Sequence, residues 1–319
     1  MRNTIYVKYD SWRKPEFRIR TSFEKGDGKT YVVKKAMGKP TESHIATIRA
    51  NYEKVKDLYQ NIQVIPYEPE DGTEDRVTFP FIEGEEFPNA DDYYHMDLRD
   101  LREKLNQSLD RILDFRPEYV TDFQMTDEFR AFFPDCEPEK QPAVTVGNVD
   151  GIFSNFILSG GELCCLDYEW VLDFPIPVGF IKYRALHYLY HAKNEIKDRM
   201  SEDEFLEIME IKTPEIKLFN RMETCFIAYT HGEKEHYKYG RNYLKKAVPL
   251  KTVEEWKTQN EDHRRQTEEL RHQADLYRDL ADKKEELIIR QEQELNRIYH
   301  SFSWKITKPL RGVLRLFKR

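Results

Sequence analysis

Long apolar runs are missing from this 319-residue sequence. The first ten residues, MRNTIYVKYD, contain no apolar stretch of the length that a secretory signal needs, so we expect no such signal. No segment approaches the roughly 18 consecutive apolar residues of a membrane-spanning helix, and we expect no such helix. The sequence therefore predicts a cytoplasmic protein.

Cysteine is scarce, and its placement excludes two common uses. The four cysteines, Cys136, Cys164, Cys165 and Cys225, do not have the spacing of a zinc site. Cys164 and Cys165 are adjacent inside an apolar segment, which is a poor place for a disulfide framework. We interpret all four as reduced packing residues of a cytosolic protein.

Acidic residues are absent from positions 301–319, which carry six Lys or Arg residues. This tail contributes +6 to a net charge of −7, so the rest of the chain carries −13. Nucleic-acid-binding proteins usually present a broad basic face, and we expect no nucleic-acid partner here. A short basic end fits an anionic membrane surface or an acidic partner better.

The first 84 residues predict the order β-β-β-α-β-β. Alternating segments TIYVKY, FRIRTSFE and KTYVVKKA are typical of strands, and Gly26-Asp27-Gly28 predicts a hairpin turn between the last two. Apolar residues at helical spacing predict a helix over 41–60. IQVIPYEP and RVTFPFIEG predict two further strands. From 97 to 223 the pattern is mostly helical, except for two strands joined by Gly160-Gly161.

Glycine and proline are both absent from 251–308, where a heptad pattern predicts a coiled coil over 251–300. Val253, Ala274, Ala281, Ile288 and Leu295 occupy a positions, and four of the seven d positions are apolar. A single long solvated helix is the alternative. In the tail, Leu310, Val313, Leu314 and Phe317 share one helical face, with basic residues opposite, which predicts a membrane-binding helix or a protein-docking helix.

Three oxygen-bearing side chains surround the predicted Gly-Gly hairpin. Asp150 and Asn155 form a D-x-x-x-x-N pattern on a loop before the first strand, and Asp167 follows the second strand. Because the hairpin brings its two ends together, Asn155 and Asp167 can hold Mg²⁺ from opposite sides. Asp150 would then accept the proton of a hydroxyl that attacks the γ-phosphate of ATP.

This pattern, together with LDYEW at 166–170, resembles the aminoglycoside-phosphotransferase branch of the protein-kinase-like superfamily. The resemblance implies an α+β, bilobal protein-kinase-like fold, with residues 1–84 as N-lobe and 85–250 as C-lobe. It implies ATP and Mg²⁺ as cofactors. It makes Asp150 the catalytic residue and Asn155 and Asp167 the metal ligands.

The third strand resembles the V-A-x-K strand of the same superfamily. Val32 and Lys34 lie on one face, so the resemblance implies that Val32 covers adenine and Lys34 holds the α- and β-phosphates. Lys35 points the other way. Glu53 is the expected helix partner of Lys34, with Glu42 as the alternative.

The segment FPFIEG at 79–84 resembles the hinge of the same branch, which places Phe81 and Glu83 beside the adenine. Three features depart from the family pattern. Asn148 stands where the family usually has His, and SWRKPE stands where a Gly-rich loop would lie between the first two strands. The third is the additional C-terminal segment with the predicted coiled coil.

A kinase-like domain, coiled coil and basic tail, in that order, resemble the C-terminal part of bacterial O-antigen chain-terminating kinase-methyltransferases. The resemblance implies a kinase of sugar or polysaccharide hydroxyls in surface-polysaccharide (lipopolysaccharide) assembly. The protein would be peripheral at the inner face of the plasma membrane, homo-oligomeric through the coiled coil and partnered by a glycosyltransferase. A pseudokinase scaffold that recruits glycosyltransferases is the alternative.

Overall fold

The computed structural model describes residues 2–10, 12–69, 74–89, 93–232 and 250–300. The chain divides into two compact units, Met1–Tyr243 and Leu244–Arg319. The described strands are β1 (Asn3–Tyr9), β2 (Ile19–Gly26), β3 (Lys29–Ala36), β4 (Ile62–Val64), β5 (Arg76–Pro80), β6 (Glu85–Glu86), β7 (Val120–Asp122), β8 (Pro142–Val144), β9 (Gly147–Asn148), β10 (Phe156–Ser159), β11 (Glu162–Cys165), β12 (Val171–Leu172) and β13 (Ile176–Pro177). The described α-helices are α1 (Glu42–Val55), α2 (Leu98–Ile112), α3 (Asp127–Phe132), α4 (Val178–Ala192), α5 (Asn194–Lys197), α6 (Glu202–Ile208), α7 (Thr213–His231) and α8 (Leu250–His300).

The first sheet is antiparallel, with the strand order β1-β2-β3-β5. The β2–β3 hairpin closes at Gly26↔Lys29, so its loop is the two residues Asp27 and Gly28. Both have positive φ, 53° and 74°, as a type I′ turn requires. The predicted α+β class and the predicted order of elements over 1–84 are confirmed.

Helix α1 packs against this sheet through its buried side chains, among them Ile45, Ile48 and Val55. The prediction that the helix continues to residue 60 is wrong. It ends at Val55 because the following backbone bonds elsewhere: Gln60 N–H donates to Asp114 O at 2.8 Å, and Arg116 N–H donates to Leu58 O at 2.9 Å. These bonds turn the chain towards the end of α2.

A second sheet has the order β4-β11-β10-β6, and β10 and β11 form the predicted hairpin around Gly160 and Gly161. β4 runs parallel to β11, while β6 pairs antiparallel with β10. The close approach of β6 to β10 requires glycine at position 84, because a Cβ there would lie 2.5 Å from Leu158 O. The segment after β5 is thereby docked on the strand that follows the D-x-x-x-x-N loop.

The predicted helices of the region from 97 to 223 are present at its two ends, over 98–112 and 178–223, whereas the middle contains, besides the predicted hairpin, the short helix α3 and strands that the sequence did not indicate. β7, β8 and β13 form a small antiparallel sheet, and β9 pairs with β12 on either side of the second hairpin. Its helices bury aromatic residues, including Phe129, Phe180 and Phe219. Of the four free cysteines, Cys136, Cys164 and Cys165 are buried and Cys225 is half-buried.

The second unit contains α8, a helix of 51 residues. Its described side chains, 264–278 and 283–298, are exposed. None of the helices that the structure describes combines the length and the apolar composition that a bilayer crossing requires. The predicted tail at 301–319 lies outside the described residues, and the coiled-coil pairing of α8 stays a prediction.

Candidate active site

The polar centre of the first unit joins β3 to the segment after β11. Lys34 Nζ donates to both carboxylate oxygens of Asp167, at 2.7 and 2.6 Å, and to Glu169 Oε2 at 3.0 Å. The Lys34 residue is 7 % exposed and Glu169 is 3 % exposed, so the ammonium charge is held away from water by two carboxylates. The structure thus places Lys34 at this centre, whereas Lys35 pairs with Asp75.

Opposite charges control the protonation of this pair. Burial alone would lower the pKa of Lys34, but the charges of Asp167 and Glu169 outweigh it and raise that pKa above its ordinary value. Burial alone would raise the pKa of Glu169, but Arg13, Lys34 and His44 hold it well below its usual range. Both groups are therefore charged at neutral pH.

Glu169 has two further cationic or polar partners. Arg13 donates to Glu169 Oε1 from the segment between β1 and β2, and His44 Nε2 lies 2.8 Å from the same oxygen. Arg13 therefore belongs to the segment between the first two strands, in which the sequence has no Gly-rich loop. The segment between β1 and β2 thereby supplies a guanidinium to the acidic centre.

Helix α1 reaches the centre through residues other than the predicted glutamate. Asn51 Nδ2 donates to the backbone oxygens of Tyr168 and Glu169 at 3.0 and 2.9 Å, and His44 contacts the Glu169 carboxylate. Glu53 instead pairs with Lys56, and its side chain is 60 % exposed. The expected Lys34–Glu53 pair is not formed, because Glu53 lies off the buried face of the helix. Glu169 takes the place opposite Lys34.

The D-x-x-x-x-N loop is fixed by hydrogen bonds at both ends. Asp150 Oδ2 accepts from Trp170 N–H at 2.8 Å, and Asn155 Nδ2 donates to Asp150 O at 2.9 Å. Asn148 Oδ1 accepts from Asp150 N–H at 3.1 Å, while its amide donates to the Tyr59 hydroxyl at 3.2 Å. Asn148 therefore supports the loop as an orienting residue.

Asp150 has an environment that favours its protonated form. Burial raises its pKa to about 7, and the neighbouring charges of Asp167 and Glu169 add to that rise. A carboxyl group whose pKa lies near neutrality is suited to accept and return a proton.

A buried ion pair between two helices anchors the same loop. Arg184 on α4 pairs with Glu223 on α7 at 2.9 Å, and both side chains are 3 % exposed. The Arg184 guanidinium also donates to Val149 O, the carbonyl immediately before Asp150. The position of Asp150 is thus tied to two helices.

The predicted adenine-side residues lie along β3 and the segment after β5. Val32 is half-buried and faces Phe79 across the strand pair. Phe81 is 40 % exposed, with its ring 5.6 Å from that of Phe23. The Glu83 carbonyl accepts from Ser159 Oγ at 2.7 Å, so this carbonyl holds β10. The Phe81 N–H donates to Thr30 O at 3.0 Å, so its backbone is held against β3.

Sequence reasoning missed Arg13, His44, Asn51 and Glu169. For two of them a signal existed: His44 and Asn51 are polar residues that fall on the apolar stripe of α1 with Ile48. A polar side chain in such a stripe is buried and needs a partner. Glu169 is part of the LDYEW motif, but its position in the sequence did not indicate that it would be the partner of Lys34.

The donor set at this centre fits a hard divalent cation. Asp167 offers a carboxylate whose side chain is 27 % exposed and already faces a cation, the Lys34 ammonium. Asn155 is adjacent, since its carbonyl accepts from Leu166 N–H at 2.8 Å, and its amide nitrogen is fixed on Asp150 O. Carboxylate and amide oxygens are ligands that Mg²⁺ accepts.

No known family model matches the sequence, and no curated protein matches it. Several solved structures are similar to this chain at low identity. Macrolide 2'-phosphotransferase MphH from Brachybacterium faecium is 12 % identical, with 73 % of this chain and 92 % of that chain covered and a TM-score of 0.33. Choline kinase LicA from Streptococcus pneumoniae is 14 % identical, with 66 % and 80 % covered and a TM-score of 0.35.

The gentamicin complex of APH(2")-IIa is 13 % identical, with 77 % of this chain and 92 % of that chain covered and a TM-score of 0.37. Identities and TM-scores this low carry no information about which residues act or on which substrate. What this site does chemically has to follow from its own geometry.

Proposed function

We propose that the protein is an ATP- and Mg²⁺-dependent phosphotransferase that acts on an alcohol hydroxyl. The observation that carries the proposal is the meeting of Lys34, Asp150, Asn155 and Asp167. Lys34 comes from β3, more than 130 residues away along the chain, yet its ammonium lies within 2.7 Å of both oxygens of Asp167. A buried cation beside carboxylate and amide oxygens is the arrangement that phosphoryl transfer requires.

Each residue then has a definite task. Lys34 would hold the α- and β-phosphates, and Glu169, itself bound by Arg13 and His44, keeps the Lys34 ammonium in place. Asn155 and Asp167 would hold Mg²⁺, which offsets the negative charge of the phosphates when it is bound. Asp150 orients the acceptor hydroxyl and takes its proton, while Trp170 N–H fixes one carboxylate oxygen.

Replacement of Asp167 by alanine tests the proposal directly. Because Asp167→Ala removes a charged metal ligand, we expect the affinity for Mg-ATP to fall at least about 10-fold. Isothermal titration calorimetry of the full chain with ATP in excess Mg²⁺ measures this. Asp173→Ala is the matched control, since Asp173 is an exposed carboxylate six residues further on that pairs with Lys54.

Unchanged affinity in Asp167→Ala would show that Asp167 is not a metal ligand. A wild-type protein that binds no Mg-ATP would overturn the nucleotide assignment altogether. Binding without phosphotransfer would favour the second candidate, a pseudokinase scaffold. The observation that favours the scaffold is the ion pair between Arg13 and Glu169, because Arg13 lies in the segment where a Gly-rich loop would cover the phosphates.

For the finer activity we propose a sugar or polysaccharide hydroxyl as acceptor, in the assembly of bacterial surface polysaccharide. The support is the order of parts: a first unit with the phosphotransferase site, then a helix of 51 residues. We further propose that 1–84 and 85–250 act as two lobes and that a glycosyltransferase is a partner. The tail at 301–319 would hold the protein at the anionic inner face of the plasma membrane.

The helix α8 should self-associate through its a and d positions. Ile288 and Leu295 are a-position residues whose side chains are 54 % and 48 % exposed in the single chain. We expect Ile288→Glu with Leu295→Glu to convert an oligomer into a monomer, because like charges replace the apolar seam. Sedimentation velocity of the full chain measures the change.

Leu276→Glu with Ile289→Glu is the matched control, because these exposed leucine and isoleucine side chains lie at c and b positions. The control should keep the oligomeric state of the wild type. Equal sedimentation of both double variants would show that the heptad seam does not pair.

A further inference from the structure

A cluster of two histidines and one glutamate lies on the helices of the first unit, among residues that the proposed phosphotransfer does not use. His187 and His191 are four residues apart on α4 and therefore share one face of that helix. Glu202 is the first residue of α6. His187 Nδ1 lies 2.5 Å from Glu202 Oε1, and His191 Nε2 lies 3.1 Å from Glu202 Oε2.

We propose that His187, His191 and Glu202 form a binding site for a zinc ion. One ligand atom from each residue lies within 4.8 Å of the other two. Ligands about 2.1 Å from zinc stand roughly 3.4 Å apart in a tetrahedron, so small side-chain rotations bring the three atoms to their places. Two imidazoles and a carboxylate, with a fourth position left for water, is a donor set that zinc commonly takes.

Both imidazoles converge on one carboxylate. The rings of His187 and His191 have centroids 4.6 Å apart, and each ring has a nitrogen within 3.1 Å of a different oxygen of Glu202. A neutral imidazole nitrogen and a carboxylate oxygen are both ligands that zinc accepts, so the three side chains point the right kinds of atom at one place.

The helices that carry the ligands are held together before any ion binds. The Tyr190 hydroxyl donates to Met200 O at 3.0 Å, and its ring stacks on Phe205 of α6 at 5.8 Å. Ser201 and Glu204 form a capping box that fixes the turn containing Glu202. The Tyr183 ring stacks on His187 at 5.5 Å and restricts that imidazole. A preorganised framework of this kind favours binding.

The site is open to the solvent from which an ion arrives. The side chains of His187, His191 and Glu202 are 22 %, 40 % and 26 % exposed. Bound zinc would join α4 to α6 close to Arg184, whose guanidinium holds the Val149 carbonyl. The ion would therefore brace the helix that supports the D-x-x-x-x-N loop.

Calorimetric titration of the full chain, without a histidine tag, with ZnCl₂ in excess Mg²⁺ tests the proposal. Excess Mg²⁺ fills oxygen sites but competes weakly for imidazoles. We expect one equivalent of zinc per chain and a melting temperature that rises with zinc concentration. His191→Gln and Glu202→Gln should each weaken zinc binding on the order of 100-fold, since even outer-shell changes cost about 10–100-fold.

His272→Gln is the matched control, because His272 is an exposed histidine of α8 and should be replaceable without effect. Circular dichroism of both variants establishes that they are folded; their partly exposed positions make this the expected result. Substitution of Co²⁺ for zinc should give an absorption spectrum without the charge-transfer band of thiolate ligands. Zinc binding that persists in the variants, a thiolate band, or less than one equivalent in the wild type would overturn the assignment.

Discussion

Asp150→Asn will lower the rate of phosphotransfer by about 10²–10⁴-fold, which is the usual contribution of a positioned general base. Mg-ATP affinity should stay within about twofold, because the amide has the shape of the carboxylate and its oxygen can still accept from Trp170 N–H. Transfer of radioactive phosphate from ATP to a panel of mono- and oligosaccharides measures the rate. The acceptor that the wild type uses best then serves for the variant.

Asp173→Asn makes the same chemical change at an exposed carboxylate and should leave both quantities unaltered. A variant that keeps more than about a tenth of the wild-type rate would show that Asp150 is not the base. A loss of rate that is matched by a loss of nucleotide affinity would instead point to a displaced loop. The two outcomes are separated because binding and transfer are measured independently.

The centre around the β10–β11 hairpin was predictable because its geometry is local. A Gly-Gly turn forces two short strands side by side, so residues just before β10 and just after β11 must be neighbours. The structure accordingly brings Asn155 beside Leu166, one residue before Asp167. The contact of Lys34 with this centre joins residues that are far apart along the chain. The alternation of side chains along β3 predicted it only after the resemblance had indicated that β3 carries the lysine.

The partner of Lys34 was not predictable from the sequence. The separation along the chain favours Glu53, whereas the face of α1 that is buried carries other residues. Glu53 has a suitable distance along the chain, but its place on α1 faces solvent. The buried face of α1 carries His44 and Asn51, and both contact Glu169 or its backbone.

The end of α1 shows a different limit of sequence reasoning. Tyr59 continues the apolar spacing of the helix, so the pattern predicts helix through this residue. In the structure Tyr59 is buried in the turn after α1, and its hydroxyl accepts from Asn148. Tertiary contacts with the loop and with the end of α2 therefore override the local period.

Glu169→Gln should destabilise the protein by about 3 kcal/mol, the lower end of the range for breaking a buried ion pair. The lower end applies because Lys34 keeps Asp167 and Arg13 keeps Asp10, whose carboxylate lies 3.6 Å away. Denaturant unfolding without metal or nucleotide, followed by tryptophan fluorescence, measures the free energy of unfolding. Trp170 adjoins the substituted residue and reports on this part of the fold.

Acid provides an internal check on the same pair of proteins. The pKa of Glu169 lies well below 4.5 in the folded state, so its stabilisation is complete above the unfolded pKa and is lost as the pH falls through the folded pKa. The stability difference between wild type and Glu169→Gln should hold at neutral pH, begin to shrink as the pH falls below the ordinary glutamate pKa, and be lost as the pH falls through the lower folded-state pKa. Glu53→Gln is the control, and its effect should stay within about 0.5 kcal/mol because that carboxylate is exposed. Equal stabilities of the two variants would return Glu53 to consideration as the partner of Lys34 and remove Glu169 from that place.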